Sequence, residues 1–119
     1  MSPLSNRRKD AYGGSLENRL RFPLRIIHRI RSEWPESLPF FVRFSASDHA
    51  EGPEKNEQGE WLQWGIEQSI ELARQLKKDA GVDLVDVSSA GNWSKQVIQV
   101  GPGYQVSTEL FFDSFELVF

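Results

Sequence analysis

The sequence predicts an α/β fold built on parallel strands. Two short, nearly continuous apolar runs alternate with two segments whose apolar residues recur at helical spacing, and polar loops separate them. A short apolar run is typical of a strand covered on both faces, as in a parallel sheet. Strands that alternate with helices in this way indicate a parallel arrangement with right-handed crossovers.

The first predicted element is an amphipathic helix that follows an N-terminal loop. Residues 2–15 contain turn formers, including Gly13 and Gly14. Ser15 is suited to cap the helix. Because proline breaks a helix interior, we expect the regular helix to begin near Pro23, after an irregular turn. Its apolar stripe comprises Leu20, Leu24, Ile27, Ile30 and Trp34, and the Trp34–Pro35 step ends it.

A buried strand, a long loop and a second helix follow. The run from Phe40 to Phe44 predicts the strand, and residues 45–60 are polar with several glycines and a proline. Gly81 is a suitable residue to end the second helix. The apolar stripe of that helix comprises Leu62, Ile66, Ile70, Ala73 and Leu76.

The second strand is predicted from Val82 to Val87, interrupted by Asp83 and Asp86. Residues 88–92 return to loop, and Ser107 could open a third helix. With 119 residues the chain can form one small core. A full (β/α)8 barrel needs roughly 200 residues or more, and two strands cannot close one. The chain is therefore either a different small α/β fold or a fragment.

Composition excludes several classes of function. A net charge of -3 gives no general attraction to nucleic acid or to an anionic membrane. The chain has no cysteine, which excludes disulfides and thiolate metal sites. Its polar first ten residues do not resemble a signal peptide, and no stretch is long enough to span a bilayer. We therefore expect a cytoplasmic protein.

Arg43 is a charged residue within the first predicted strand. Because strand side chains alternate, Phe41, Arg43 and Ser45 share one face, near the end of the strand where α/β barrels place their ligands. A guanidinium there suits an anionic or electron-accepting group, since it offers a planar set of donors. The alternative is a buried ion pair with Asp86, at a matching depth on the neighbouring strand. Ser88 could donate to a ligand or cap the loop.

Other polar residues carry weaker signals. We expect His49, in the polar loop beside Asp48, to be solvated rather than catalytic, and His28 to lie on the surface. The sequence contains no phosphate-binding P-loop, no dinucleotide-binding glycine motif and no metal-ligand cluster.

Several linked motifs resemble the old yellow enzyme family of NAD(P)H:flavin oxidoreductases. The match runs from Ser2 to about Val106, and in combination the motifs are highly specific. The first part comprises Ser2–Asn6, Arg8, Asp10, Tyr12–Ser15, Asn18, Arg19, Arg21 and Phe22. The later parts are Val42–Ser45, Gly81–Ser89 and Pro102–Val106, the last being similar to the subgroup that includes bacterial and fungal ene-reductases.

The resemblance implies a (β/α)8 TIM barrel with FMN at the carboxyl-terminal mouth. NAD(P)H reduces the flavin, which passes a hydride to an activated alkene such as an enone. In that family the arginine of the strand motif contacts the flavin ring, which implies that Arg43 binds the cofactor and stabilises its anionic reduced form. The positions of Ser88 and Gln105 line the flavin pocket in the similar subgroup. Asp10, Tyr12, Asn18 and Arg19 are expected to be structural.

The family pattern is only partly present. The family's paired histidines (or histidine and asparagine), which hold the substrate carbonyl, lie just upstream of the Ser2–Asn6 segment, and the loops of the last two barrel strands bind the FMN phosphate. We therefore expect residues 1–119 to be a partial barrel of about two strand–helix units, with a divergent tail at residues 107–119, inactive alone and with no catalytic residue of its own. The alternative is a non-catalytic module that oligomerises or binds a partner through exposed strand edges and its Phe-rich tail.

Overall fold

Two helices and two strands alternate along the described part of the chain. The computed structural model describes residues 1–88 and 93–97. In chain order the elements are α1 (Leu16–Glu33), β1 (Phe41–Ser45), α2 (Ile66–Ala80) and β2 (Leu84–Ser88). The α/β class and the predicted order are confirmed over these residues. The predicted third helix, the tail at residues 107–119 and Gln105 lie outside them.

The two strands form a parallel sheet whose faces differ in polarity. Val42 and Phe44 lie on one face with Val85 and Val87, and all four are buried or packed against the core. The opposite face carries three directly paired positions, in which Phe41 is opposite Leu84, Arg43 is opposite Asp86 and Ser45 is opposite Ser88. Since side chains alternate along a strand, the register fixes both faces together.

Both helices supply the core that covers the apolar face of the sheet. Buried residues of α1 and α2 meet Phe44 of β1 and the loop residue Trp64 in one cluster. Burial of these side chains is the main favourable contribution to folding. From the helices the cluster takes Leu20, Ile27, Ile70, Leu72, Ala73, Leu76 and Ala80.

The start of α1 differs from the prediction. The helix begins at Leu16 and contains Pro23 in its interior, so the expected start near Pro23 is wrong. Ser15 is the N-cap, as predicted, and its side chain accepts a hydrogen bond from the Asn18 amide at 3.3 Å. Trp34 ends the helix in an extended conformation, also as predicted.

The apolar stripes extend less far than predicted. Ile30 and Trp34 are exposed at the end of α1, although the spacing placed them on its buried face. Leu62 is exposed as well and precedes α2, which begins at Ile66. Trp34 is the C-cap of α1, and Leu62 lies in the loop before α2, so neither lies within the helical face that the spacing predicted.

A buried arginine joins α1 to α2. The side chain of Arg19 is 2% exposed, and its Nε donates to the carbonyl of Gly14 at 3.0 Å. Its terminal nitrogens donate to the carbonyl of Met1 and, at 2.7 Å, to Oε1 of Gln68 in α2. Burial lowers the pKa of Arg19, which Asp48 partly offsets. The expectation that Arg19 is structural agrees with these contacts.

The ends of α2 are set by a loop carboxylate and a glycine. Gly65 provides no side-chain cap, but the Glu54 carboxylate accepts a hydrogen bond from the Ile66 amide. A Cβ on Gly65 would lie 1.9 Å from Oε1 of Glu54, so a larger residue there would displace this flexible carboxylate from the start of α2. Gly81 ends the helix in the left-handed conformation, as predicted.

The proline in α1 provides a test of helix energetics. We expect Pro23→Ala to raise the free energy of unfolding by about 1–3 kcal/mol, because alanine restores a backbone donor inside the helix. Pro35→Ala, outside the helix, is the matched control and should change it by less than about 0.5 kcal/mol. Chemical denaturation followed by circular dichroism measures both. A destabilised Pro23→Ala variant would contradict the continuous helix.

The carboxylate of Glu54 predicts a pH dependence. Burial raises the pKa of Glu54, and the hydrogen bond from Ile66 opposes that shift only in part. A raised pKa favours the protonated form in the folded state, so its contribution to stability is present at low pH and is lost as pH rises through the folded-state pKa. Glu54→Gln should therefore gain stability relative to the wild type between about pH 4 and pH 7. Unfolding curves of both proteins at about pH 4 and pH 7 measure this. If the difference in free energy of unfolding between Glu54→Gln and the wild type is the same at both pH values, the raised pKa is contradicted.

Candidate functional site

Arg43 lies on the open face of the sheet, near the carboxyl end of β1. Its side chain is 64% exposed, while the residues on either side of it in the strand face the helices. The alternation predicted for Phe41, Arg43 and Ser45 is confirmed, because all three lie on this face. Since the strands are parallel, their carboxyl ends lie at the same edge of the sheet.

The predicted alternative partner of Arg43 is present as well. A terminal nitrogen of Arg43 lies 3.5 Å from Oδ2 of Asp86, its paired position on β2. The pair is not buried, however, since the Asp86 side chain is 51% exposed. An exposed ion pair at this distance contributes at most about 1 kcal/mol. The pair therefore orients the guanidinium and leaves most of it accessible.

Two serine side chains complete the open face at the carboxyl edge. Ser45 and Ser88 are directly opposite each other, one pair beyond Arg43 and Asp86, and both are half-buried. The hydroxyl of Ser88 lies 3.5 Å from the Phe44 carbonyl, a weak contact that leaves it able to turn toward a ligand. Both expected roles of Ser88 therefore stay open. Gln105, the third predicted cofactor residue, lies outside the described residues.

The loop after β1 differs from its predicted character. Asp48 is 2% exposed and makes buried hydrogen bonds to Ser2 and to the Trp64 amide. His49 is half-buried with a positive φ of 49°, and burial lowers its pKa, so it is not a freely solvated histidine. His28 is exposed, as predicted. Sequence alone missed Asp48 because an aspartate in a polar loop is usually solvated.

The described residues contain neither a cluster suited to a metal ion nor a membrane-spanning helix. Within residues 1–88 and 93–97, no group of three or more His, Asp or Glu side chains could hold a metal ion. No helix in that part of the chain is long and apolar enough to cross a membrane.

The comparisons with known proteins identify the family. Residues 1–109 match the model of the NADH:flavin oxidoreductase / NADH oxidase family. The chain belongs to this family. The predicted resemblance is thereby confirmed, and with it FMN as the cofactor of the family and NADH or NADPH as its reductant.

Curated relatives in the family come from fungi and bacteria. An NADH:flavin oxidoreductase of Gibberella zeae is 49% identical over 108 residues, which cover 89% of the chain and 26% of that protein. The NADPH dehydrogenase of Halalkalibacterium halodurans is 47% identical over 106 residues, 89% of the chain and 27% of the relative. The NADPH dehydrogenase of Bacillus subtilis is 44% identical over 107 residues, which cover 90% of the chain and 28% of that protein. The chain thus spans about a quarter of the length of the relatives it matches.

The residues at the carboxyl edge fit part of an FMN site. A flavin ring offers carbonyl oxygens and ring nitrogens along one edge, which require donors. Arg43 presents an accessible guanidinium, and Ser45 and Ser88 add hydroxyls on the same face. The open face is thus chemically suited to the polar edge of the flavin ring. The assignment of Arg43, Ser88 and Gln105 to the cofactor stays a prediction.

The exposed pair of Arg43 and Asp86 is expected to contribute little to stability. Asp86→Asn should change the free energy of unfolding by less than about 1 kcal/mol. Asp83→Asn is the matched control, because Oδ2 of Asp83 accepts from the Phe40 amide at 2.8 Å and lies 3.7 Å from Arg31. Asp83→Asn should lower the free energy of unfolding by about 1–2 kcal/mol. A larger loss for Asp86→Asn than for Asp83→Asn, in denaturation experiments, would show that the strand pair depends on the Arg43 contact.

Proposed function

We propose that the chain is the flavin-contacting part of an FMN-dependent NAD(P)H oxidoreductase of the ene-reductase type. The observation that carries the proposal is the accessible guanidinium of Arg43 at the carboxyl edge of two parallel strands. Ligands of α/β barrels bind at this edge, in the loops that follow the strands. Family membership over residues 1–109 supports the same assignment.

The proposed role of Arg43 is to bind and orient the polar edge of the flavin. Its planar donors match adjacent acceptors on a ring, and its fixed positive charge favours electron density there. Asp86 restrains the guanidinium from the neighbouring strand. The Ser45 hydroxyl donates to the Ser47 carbonyl at 3.4 Å and the Ser88 hydroxyl to the Phe44 carbonyl at 3.5 Å. Both contacts are long, and in this proposal both hydroxyls turn to donate to the ligand. We assign Gln105 to the pocket by resemblance alone.

When bound, FMN would supply the redox chemistry, accepting a hydride from NAD(P)H and passing it to an activated alkene such as an enone. In this proposal the residues of the chain bind and orient the cofactor, and none is assigned to the transfer itself. We further propose that the two strand–helix units of the chain belong to a (β/α)8 barrel and that the protein acts in the cytoplasm on a small electrophilic substrate. Neither nucleic acid nor a membrane is proposed as a partner.

A second candidate function follows from the apolar part of the open face. Phe41 and Leu84 are directly opposite each other and are 59% and 41% exposed. Each strand also has one edge without a neighbouring strand among the described residues. Such edges and apolar pairs favour association. The chain would then be a catalytically incompetent module that oligomerises, with a second copy as its natural partner.

Titration of the ¹⁵N-labelled chain with FMN tests the first proposal by NMR, which detects weak binding. We expect shifts centred on Arg43, Ser45 and Ser88. Arg43→Ala should weaken binding by about tenfold or more, because it removes charge-assisted hydrogen bonds. Arg29→Ala is the matched control: Arg29 is an exposed arginine of α1 that pairs with Glu33 at 2.8 Å. It should leave the affinity unchanged.

The two candidates give different results in the same preparation. We expect the chain to purify without colour, since the flavin contacts of the described residues are few. Shifts confined to other surfaces, or equal losses in both arginine variants, would contradict the flavin proposal. A colourless chain that self-associates and shows no shift with FMN would favour the second candidate. A yellow chain that oxidises NADPH would exclude it.

A further inference from the structure

We propose that Asp48 is a positioning residue for the cofactor edge: it fixes the end of β1 through Trp64, and so sets the position of Arg43 and Ser45. This inference rests on the proposed function, in which FMN binds at the carboxyl edge of the sheet. The contacts that carry it belong to the described residues alone. They lie in the loop between β1 and α2, at the carboxyl edge of the sheet.

Asp48 and Trp64 are joined by a reciprocal pair of hydrogen bonds. The Asp48 amide donates to the Trp64 carbonyl at 3.0 Å, and the Trp64 amide donates to Oδ2 of Asp48 at 2.8 Å. Both residues are 2% exposed. A buried carboxylate is costly unless it is hydrogen-bonded, and bonds to a charged acceptor are stronger than neutral ones. This pair therefore closes the long loop at one defined point.

The indole of Trp64 connects the closed loop to the end of β1. Its Nε1 donates to the carbonyl of Ser45, the last residue of β1, at 2.8 Å. The next residue, Ala46, is held twice: its amide donates to the Ser88 carbonyl at 2.7 Å, and its carbonyl accepts from the Ser69 hydroxyl at 2.8 Å. Backbone groups on both sides of the Ser45–Ala46 bond are thus fixed by β2, α2 and Trp64.

Asp48 also binds the N-terminal loop. Its Oδ2 accepts a hydrogen bond from the hydroxyl of Ser2, and Arg19 holds the carbonyl of Met1 beside it. A cavity of about 360 Å³ lies at this junction and is lined by Met1, Ser2, Ser5, Ser45, Asp48 and Trp64. Asp48 and the cofactor-facing Ser45 therefore border the same space.

A purely structural role for Asp48 makes a different prediction. If the carboxylate only stabilises the loop, its loss lowers global stability and affects FMN binding no more than any equally destabilising core change. If it positions the strand end, its loss loosens Ser45 and Ala46 selectively and weakens FMN binding beyond that level. The amide of Ala46 is the natural reporter, because it bonds across to Ser88.

The experiment compares Asp48→Asn with Ile27→Val, a core change in α1. Three quantities are measured on the full chain: the free energy of unfolding, amide hydrogen exchange at Ala46, and the dissociation constant for FMN by NMR titration. We expect Asp48→Asn to speed Ala46 exchange and weaken FMN binding each by about fivefold or more beyond the control. Trp64→Phe, which removes the donor to Ser45, should give the same pattern and serves if Asp48→Asn does not fold.

Each result decides one claim. Equal exchange at Ala46 in Asp48→Asn and Ile27→Val, after allowing for global stability, overturns the positioning role. If Asp48→Asn selectively speeds hydrogen exchange at Ala46 but leaves the FMN affinity unchanged, the positioning role is also overturned. The strand end would then move without any effect on ligand binding. A wild-type chain that shows no shift with FMN contradicts the proposed function instead, and Ala46 exchange still tests whether Asp48 holds the strand end.

Discussion

The parallel pairing of β1 with β2, with Arg43 opposite Asp86, is the constraint on which the rest of the structure depends. In this register Val42, Phe44, Val85 and Val87 face the helices, while the polar pairs face away. A slip of one residue on one strand would turn its apolar side chains to solvent and its charge to the core. The hydrophobic core and the candidate site are thus two consequences of the same pairing.

Buried polar contacts, rather than additional strands, connect the described parts of the chain around that pairing. Arg19 joins the N-terminal loop and α1 to Gln68 of α2, and Asp48 joins the same loop to Trp64. Such groups must be fully hydrogen-bonded to be tolerated in a core, and they then specify one arrangement closely.

Much of the fold could be predicted because local patterns and packing agree. Short apolar runs marked both strands, and Ser15 and Gly81 marked helix ends that the structure retains. The apposition of Arg43 and Asp86 followed from strand alternation and matching depth. The alternative in which that pair is buried is wrong, because both side chains are more than half exposed, and the strand pattern does not reveal what covers this face.

Other features could not be predicted, for reasons that are also physical. The rule against proline in helices misplaced the start of α1, since tertiary packing of Leu20 outweighs the local cost of Pro23. The importance of Asp48 arises from contacts with Ser2 and Trp64, which are 46 and 16 residues away in sequence. A single sequence gives no signal for such pairs. Family resemblance assigned the cofactor, which periodicity and spacing alone left open.

The register of the two strands can be measured most directly by nuclear Overhauser contacts between their backbone protons in solution. We expect cross-strand contacts that place Arg43 beside Asp86 and Ser45 beside Ser88, in parallel orientation. Contacts shifted by one residue, or an antiparallel pattern, would contradict it, because Arg43, Ser45 and Ser88 would then no longer lie together on the open face.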